Sequence, residues 1–153
     1  MKHHRAATEI LRPVGHVFGV LADLSNDAAW RYDVGESRLV SGVAGASGAR
    51  YRQAGPDPRK PQPYHVEATR VDEEARVISF ATVDAAPVAV RGTYRVEPMP
   101  GGSRVEFDIE LHPGGVVKLF EPFMGAALRK TTARYLGDLK RHLEGPSPGA
   151  ARP

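Results

Sequence analysis

"RGTYRVEPMPGGSRVEFDIEL", Arg91–Leu111, holds two runs of alternating apolar and polar residues joined by a Pro- and Gly-rich turn. The second run is the more regular. Val105, Phe107, Ile109 and Leu111 fall on one side, and Arg104, Glu106, Asp108 and Glu110 on the other. A period of two belongs to a strand with one buried and one wet face, as in an antiparallel sheet covered on one side. The first run repeats the pattern, with Val90, Tyr94 and Val96 inward and Arg91, Arg95 and Glu97 outward. Gly92 interrupts the inward row, and a glycine there is expected to mark a bend or bulge where the sheet curls.

Downstream, residues 116–144 follow a helical spacing. Phe120, Met124, Leu128, Thr132, Tyr135, Leu139 and Leu143 recur at steps of three or four, and Gly145 and Pro146 close the segment. Pro122 falls near its start, so the first turns are expected to form a separate piece or a kink. Upstream, further strands are predicted over 34–40, 49–53, 64–71 and 76–83, separated by turn-rich links such as "SGVAGASG" and "GPDPRKPQP". A first strand is predicted over 6–11. Pro13 then suits the first turn of a helix over 13–22, whose Val14, Val17, Phe18 and Leu21 share one face. Asp23, Ser25, Asn26 and Asp27 are all cap-forming residues, which predicts a break and a second short helix over 25–30.

The order is strand, two short helices, about six more strands and one long helix, an α+β arrangement. A sheet with one wet face must cover the other, and the long apolar stripe is the only element large enough to do so. One domain over 5–145 is expected, with a Pro-, Gly- and Ala-rich tail over 146–153 that has no apolar period and is expected to be disordered.

Composition narrows the function classes. The chain has 153 residues, enough for one substantial core. It has no cysteine, which excludes a disulfide framework, a thiolate metal site and a cysteine nucleophile, and fits a reducing cytoplasm. The net charge of +3 is spread along the chain, without the clustering a nucleic-acid footprint needs. "VFGVLA" near the start is apolar, but Arg12, Pro13 and His16 interrupt it, so no signal peptide is expected. No stretch approaches membrane-span length. A cytoplasmic protein is the expectation. Composition sets no oligomeric state.

Several stretches together resemble the START/polyketide cyclase superfamily, also called helix-grip or SRPBCC. "ILRPVGHVFGVLADLSNDAAW" is similar to that family's opening, "RGTYRVEPMPGGSRVEFDIEL" to its late hairpin and "LGDLKRHLEG" to the end of its long helix. The resemblance covers about residues 5–145. It implies a curved antiparallel sheet of about seven strands gripping the C-terminal helix, with a cavity between them. Members bind lipids, sterols, quinones, polyketides or other apolar molecules, and some catalyse cyclisation or dehydration. The family has no universal catalytic motif, so the resemblance assigns no catalytic residue.

The candidate ligand-binding residues are the inward aromatics and the helix stripe. Trp30, the only tryptophan, follows the break between the short helices. It either closes the helix pair against the sheet or lines the mouth of the pocket, and Tyr32 continues that rim. Tyr51, Phe80, Tyr94 and Phe107 come from four strands, and Phe120, Phe123, Met124, Leu128 and Tyr135 from the helix. A closed core would account for each singly, since burying one such side chain stabilises by ~1.5–3 kcal/mol. The pocket reading rests on the architecture: one sheet and one helix leave an apolar gap. Buried tyrosine hydroxyls need partners, and Thr131 or Thr132 could supply one.

No acid–base pair stands out, because the acids of the sheet fall mostly on the wet face. His65 and His112 read as edge groups, and the other histidines are scattered without metal-ligand spacing, so neither a metal nor a cofactor is expected. The basic positions along the long helix read as its solvated face, not as a membrane contact. The expected partner is a hydrophobic small molecule bound between sheet and helix. The rivals are a cyclase or dehydratase using the same cavity, marked by a buried acid or histidine facing it, and a protein-interaction module with a closed interior.

Overall fold

The computed structural model describes residues 2–84 and 88–145. The tail over 146–153 and part of the turn over 84–87 lie outside the described residues. The chain begins with β1 (Lys2–Ile10) and α1 (Val14–Ala22). A 3-10 turn (Leu24–Asn26) and the single helical turn α2 (Asp27–Trp30) follow. Then come β2 (Glu36–Ser41), β3 (Arg50–Ala54), β4 (Tyr64–Asp72), β5 (Val77–Thr82), β6 (Val88–Met99) and β7 (Gly102–Pro113). A second 3-10 turn (Gly115–Phe120) leads into α3 (Glu121–Glu144). The seven strands form one sheet in the order β1-β7-β6-β5-β4-β3-β2, antiparallel throughout. This is the α+β helix-grip arrangement.

Local chemistry explains the boundaries. Pro13 stands just before α1, and Val17, Phe18, Leu21 and Ala22 bury that helix's apolar face. The Asp23 carboxylate accepts the Ser25 N–H at 3.1 Å and the Ser25 hydroxyl at 2.7 Å, which ends α1 and starts the 3-10 turn. In β7 the alternation holds: Val105, Phe107 and Ile109 are buried, while Asp108 on the other face pairs with Arg5 and His3.

Gly92 does not mark a bulge. The β5–β6 and β6–β7 registers run through it without a shift, pairing it with Phe80 and Ile109. Register shifts occur instead between Leu39 and Ser41 and between Ala68 and Arg70. Gly92 is there for space: a Cβ would meet Phe80 Cζ at 2.4 Å and Phe107 Cε1 at 3.0 Å. The missing side chain is the room the Phe80 ring occupies.

The stripe on the long helix is also corrected at its start. Leu128, Thr132, Tyr135, Leu136, Leu139 and Leu143 are buried. Phe120 is 61% and Phe123 76% exposed. Phe120 ends a 3-10 turn of three residues per turn, so the α-helical phase does not extend back to it. Phe123 lies five residues before Leu128, about 140° around the helix from it.

The other end of α3 is fastened. Lys140 donates to the Glu9 carbonyl, the Glu144 carboxylate accepts the Leu11 N–H at 2.9 Å, and Arg12 donates to the Glu144 carbonyl at 2.7 Å. The helix is therefore tied to β1 at its C-terminal end, and burial stops at Leu128. A cavity opens beside its first turns. Among the described residues no helix is long and apolar enough to cross a membrane.

Candidate functional site

The cavity lies between the inner face of the sheet and the N-terminal half of α3, and holds about 370 Å³, within the range of small-molecule sites. Its sheet wall is apolar: Val66 of β4, Phe80 of β5, Val88 and Val90 of β6, and Phe107, Ile109 and Leu111 of β7. Met124, Ala127, Leu128, Thr131 and Tyr135 of α3 close the opposite side. Phe80 lies over Gly92, and Phe107 stacks on Tyr94 with centroids 4.4 Å apart and planes 13° apart. This aromatic layer makes one wall stiff, while Met124 gives the helix side an adaptable one.

Of the residues expected to contact ligand, Phe80, Phe107, Met124, Leu128 and Tyr135 line this space. Tyr94 is buried behind Phe107. Tyr51 is fully buried, with its hydroxyl accepting the Gly45 N–H at 3.1 Å. Trp30 is buried but does not line the cavity, and its Nε1–H has no acceptor among the described residues. Phe120 and Phe123 are exposed and do not line the cavity. Tyr32 is half-exposed, with the Arg134 guanidinium 3.6 Å from its ring centroid and Tyr135 beside it.

One end of the cavity is polar, and apart from Tyr135 it is built from residues not expected there. Asp27 is only 5% exposed. Its Oδ2 accepts from Gln53 Nε2 at 2.8 Å and lies 3.5 Å from Arg31 Nη1, one turn further along the chain. Arg31 also makes a two-point pair with Asp33, both contacts at 3.2 Å, and donates to the Tyr135 hydroxyl at 3.1 Å. Tyr135 in turn donates to Asp33. Gln53 Oε1 accepts from the Tyr64 hydroxyl at 2.9 Å. Five segments thus meet: α2, the link after it, β3, β4 and α3.

The charges explain the titration. One guanidinium faces two carboxylates, and Asp33 holds it at two points. Burial pushes the Asp27 carboxyl up to about 6; Arg31 and the Gln53 hydrogen bond offset only part of that, and Asp33 adds to it. Burial works against the Arg31 cation, but Tyr135, Asp27 and Asp33 outweigh it and hold its pKa above the ordinary value. Burial raises the hydroxyls of Tyr64, Tyr94 and Tyr135, so they stay neutral. A carboxyl near 6 in an apolar cavity can give or take a proton near neutral pH.

Two other depressions are present. One of about 860 Å³ lies on the wet face of the sheet, among charges such as Arg5, Arg95 and Asp108 that compensate one another. It is larger, but charged and polar side chains dominate its lining, and it lacks the apolar walls of a small-molecule site. The other, of about 640 Å³, shares Asp33 and Tyr64 with the inner cavity and is walled by Gly55 to Pro63 and Asp84, which places it outside the polar end. His65 and His112 are edge groups, paired with Asp84 and Glu110. Among the described residues no cluster could hold a metal ion.

The sequence did carry one sign of the polar end. Asp27 and Arg31 are four apart, flank the lone tryptophan and are followed by Asp33. Four-residue spacing puts an acid and a base on one helical face.

Solved structures with the same fold are numerous. The di-domain ARO/CYC BexL from the BE-7585A biosynthetic pathway matches with a TM-score of 0.78 and 20% identity, over 94% of this chain and 47% of BexL. The chain thus spans about half the length of that protein. XoxI from Bacillus cereus matches with a TM-score of 0.74 and 18% identity, over 94% of this chain and 96% of the other. The ginseng major latex-like protein 151 from Panax ginseng matches with a TM-score of 0.71 and 11% identity, over 93% and 97%. At these identities the likeness shows the fold. None of the curated proteins compared with this chain matches it significantly. Residues 1–144 match the family described as polyketide cyclase / dehydrase and lipid transport, and the chain belongs to that family.

Proposed function

We propose that the chain binds a hydrophobic or aromatic small molecule, lipid-, polyketide- or quinone-like, in the cavity between the sheet and α3. The observation that carries this is a space of about 370 Å³ with apolar walls and one polar end. Desolvation of ligand and walls supplies most of the affinity, and the polar end fixes orientation. Phe80, Phe107, Met124, Leu128 and Tyr135 are the contact residues. The cysteine-free chain suits work in a cytoplasm. Native mass spectrometry of freshly purified protein tests the reading. A non-covalent apolar adduct, lost in Leu128→Trp, supports it. A bare mass together with no uptake of added apolar compounds refutes it.

A second reading, an enzyme of cyclase or dehydratase type, is favoured by Asp27, a buried acid lining the cavity with its carboxyl pushed up to about 6. BexL, described as an ARO/CYC protein, shares the fold. A bound compound that leaves with altered mass in wild type, and unaltered in Asp27→Asn, separates an enzyme from a carrier. The open cavity counts against an interaction module with a closed interior.

A further inference from the structure

We propose that the polar end of the cavity receives a neutral hydroxyl head, a phenol, enol or alcohol, and rejects a carboxylate. This rests on the cavity being a ligand site and names the ligand's chemistry there.

The reasoning is a count of donors and acceptors. A guanidinium has five N–H groups. Arg31 directs Nε–H and one Nη2–H to Asp33, the other Nη2–H to Tyr135, and one Nη1–H to Asp27. One Nη1–H remains. Both Gln53 Nε2 hydrogens are engaged, by Asp27 at 2.8 Å and Ser37 at 3.2 Å. The Tyr64 proton goes to Gln53, which leaves the Tyr64 oxygen as an acceptor. Both Asp27 contacts fall on Oδ2, which leaves Oδ1. Asp27, Arg31 and Tyr64 all line the cavity. The fixed groups at this end are therefore one donor against at least two acceptors, while the Thr131 hydroxyl, also lining the cavity, can turn to do either.

A hydroxyl matches that set. It donates to Asp27 or Tyr64 and accepts from Arg31. A carboxylate can only accept, so it leaves Oδ1 and the Tyr64 oxygen without a donor. It would also be a third negative group around a single guanidinium, in a site with little water to screen the repulsion. Charge complementarity thus runs against the anionic heads common among apolar metabolites.

The discrimination depends on pH. The groups facing Asp27 are Arg31 and Asp33, Gln53 of β3, Tyr64 of β4 and Tyr94 of β6, with Tyr135 of α3 joined to it through Arg31. Burial keeps the tyrosines neutral, so protonation of Asp27 reduces the negative charge of the cluster and gives it one more donor. Rejection of an anion weakens as pH falls through about 6.

Calorimetric titration with 2-naphthol and 2-naphthoate, matched apart from the head, tests this. At about pH 8 the naphthol should bind at least about tenfold tighter, and the gap should narrow toward about pH 5.5. Asp27→Asn should shrink the gap at least about fivefold and flatten its pH dependence. Tyr64→Phe should weaken the naphthol alone. Equal binding, or tighter naphthoate at the higher pH, overturns the head-group assignment and leaves the cavity reading standing. Binding of neither probe, with no adduct on purified protein, overturns both. The wild-type comparison decides the matter even where a variant folds poorly.

Discussion

Asp27→Asn should make the protein more stable, and more so in neutral or alkaline buffer than in acid. Asp27 is 5% exposed and its carboxyl is pushed from the ordinary 3.8 up to about 6, burial being the main cause. A rise of ~2 units is about 3 kcal/mol of preference for the protonated form. The sign follows from proton uptake. The folded chain holds this proton more tightly than the unfolded chain, so stability falls as pH rises between the two values. The penalty is small near pH ~4, builds up to about pH 6 and is complete above it. Asparagine carries no charge and can still accept from Gln53; the attraction to Arg31 is already counted in the value of about 6, but the new amide N–H group brings buried donors without a built-in partner, at a cost of about 1 kcal/mol. The net gain at about pH 8 is ~2 kcal/mol, or roughly 4–8 °C in melting temperature for a chain of this size. Thermal denaturation followed by circular dichroism, at about pH 8 and about pH 4.5, measures it. A variant less stable than wild type at the higher pH, or equally stabilised at both, would refute the buried, under-compensated charge.

Other perturbations probe the walls. Gly92→Ala puts a methyl 2.4 Å from Phe80 Cζ. Phe80 must swing toward the cavity, so the variant should lose ~1–3 kcal/mol in denaturant titrations and bind apolar probes more weakly. Leu128→Trp adds bulk to a wall facing empty space, so the fold should persist while ligand capacity falls; a melting temperature near wild type with lost probe binding checks this. Phe123→Ser changes a side chain that is 76% exposed and does not line the cavity. Stability should move by no more than ~0.5 kcal/mol and probe affinity by less than about twofold.

What the sequence showed follows from where its signals repeat. "RVEFDIEL" obeys a two-residue period, and the structure buries Val105, Phe107 and Ile109 as that period requires. The stripe from Leu128 to Leu143 obeys a helical period and is buried too. Phe120 was misplaced because a 3-10 turn changes the angle per residue, and residue spacing alone does not show where one helix type gives way to the other. Gly92 was read as a feature of the backbone, but its role lies in a ring on the neighbouring strand. The polar end was hidden for a related reason. Asp27 sits among Asp23, Ser25 and Asn26, where cap chemistry explains it locally. Gln53, Tyr64 and Tyr135 belong to separate elements, and only the fold joins them into one network with Asp27, Arg31 and Asp33.

The most direct measurement is methyl NMR with an apolar probe titrated into the protein. Resonances of Val66, Val90, Ile109, Met124 and Leu128 should shift together and saturate with one stoichiometry, while those of Leu119 and Leu143 stay in place. Shifts confined to the exposed Val116 and Leu119, or none at concentrations that saturate other apolar sites, would contradict a ligand space between the sheet and the long helix.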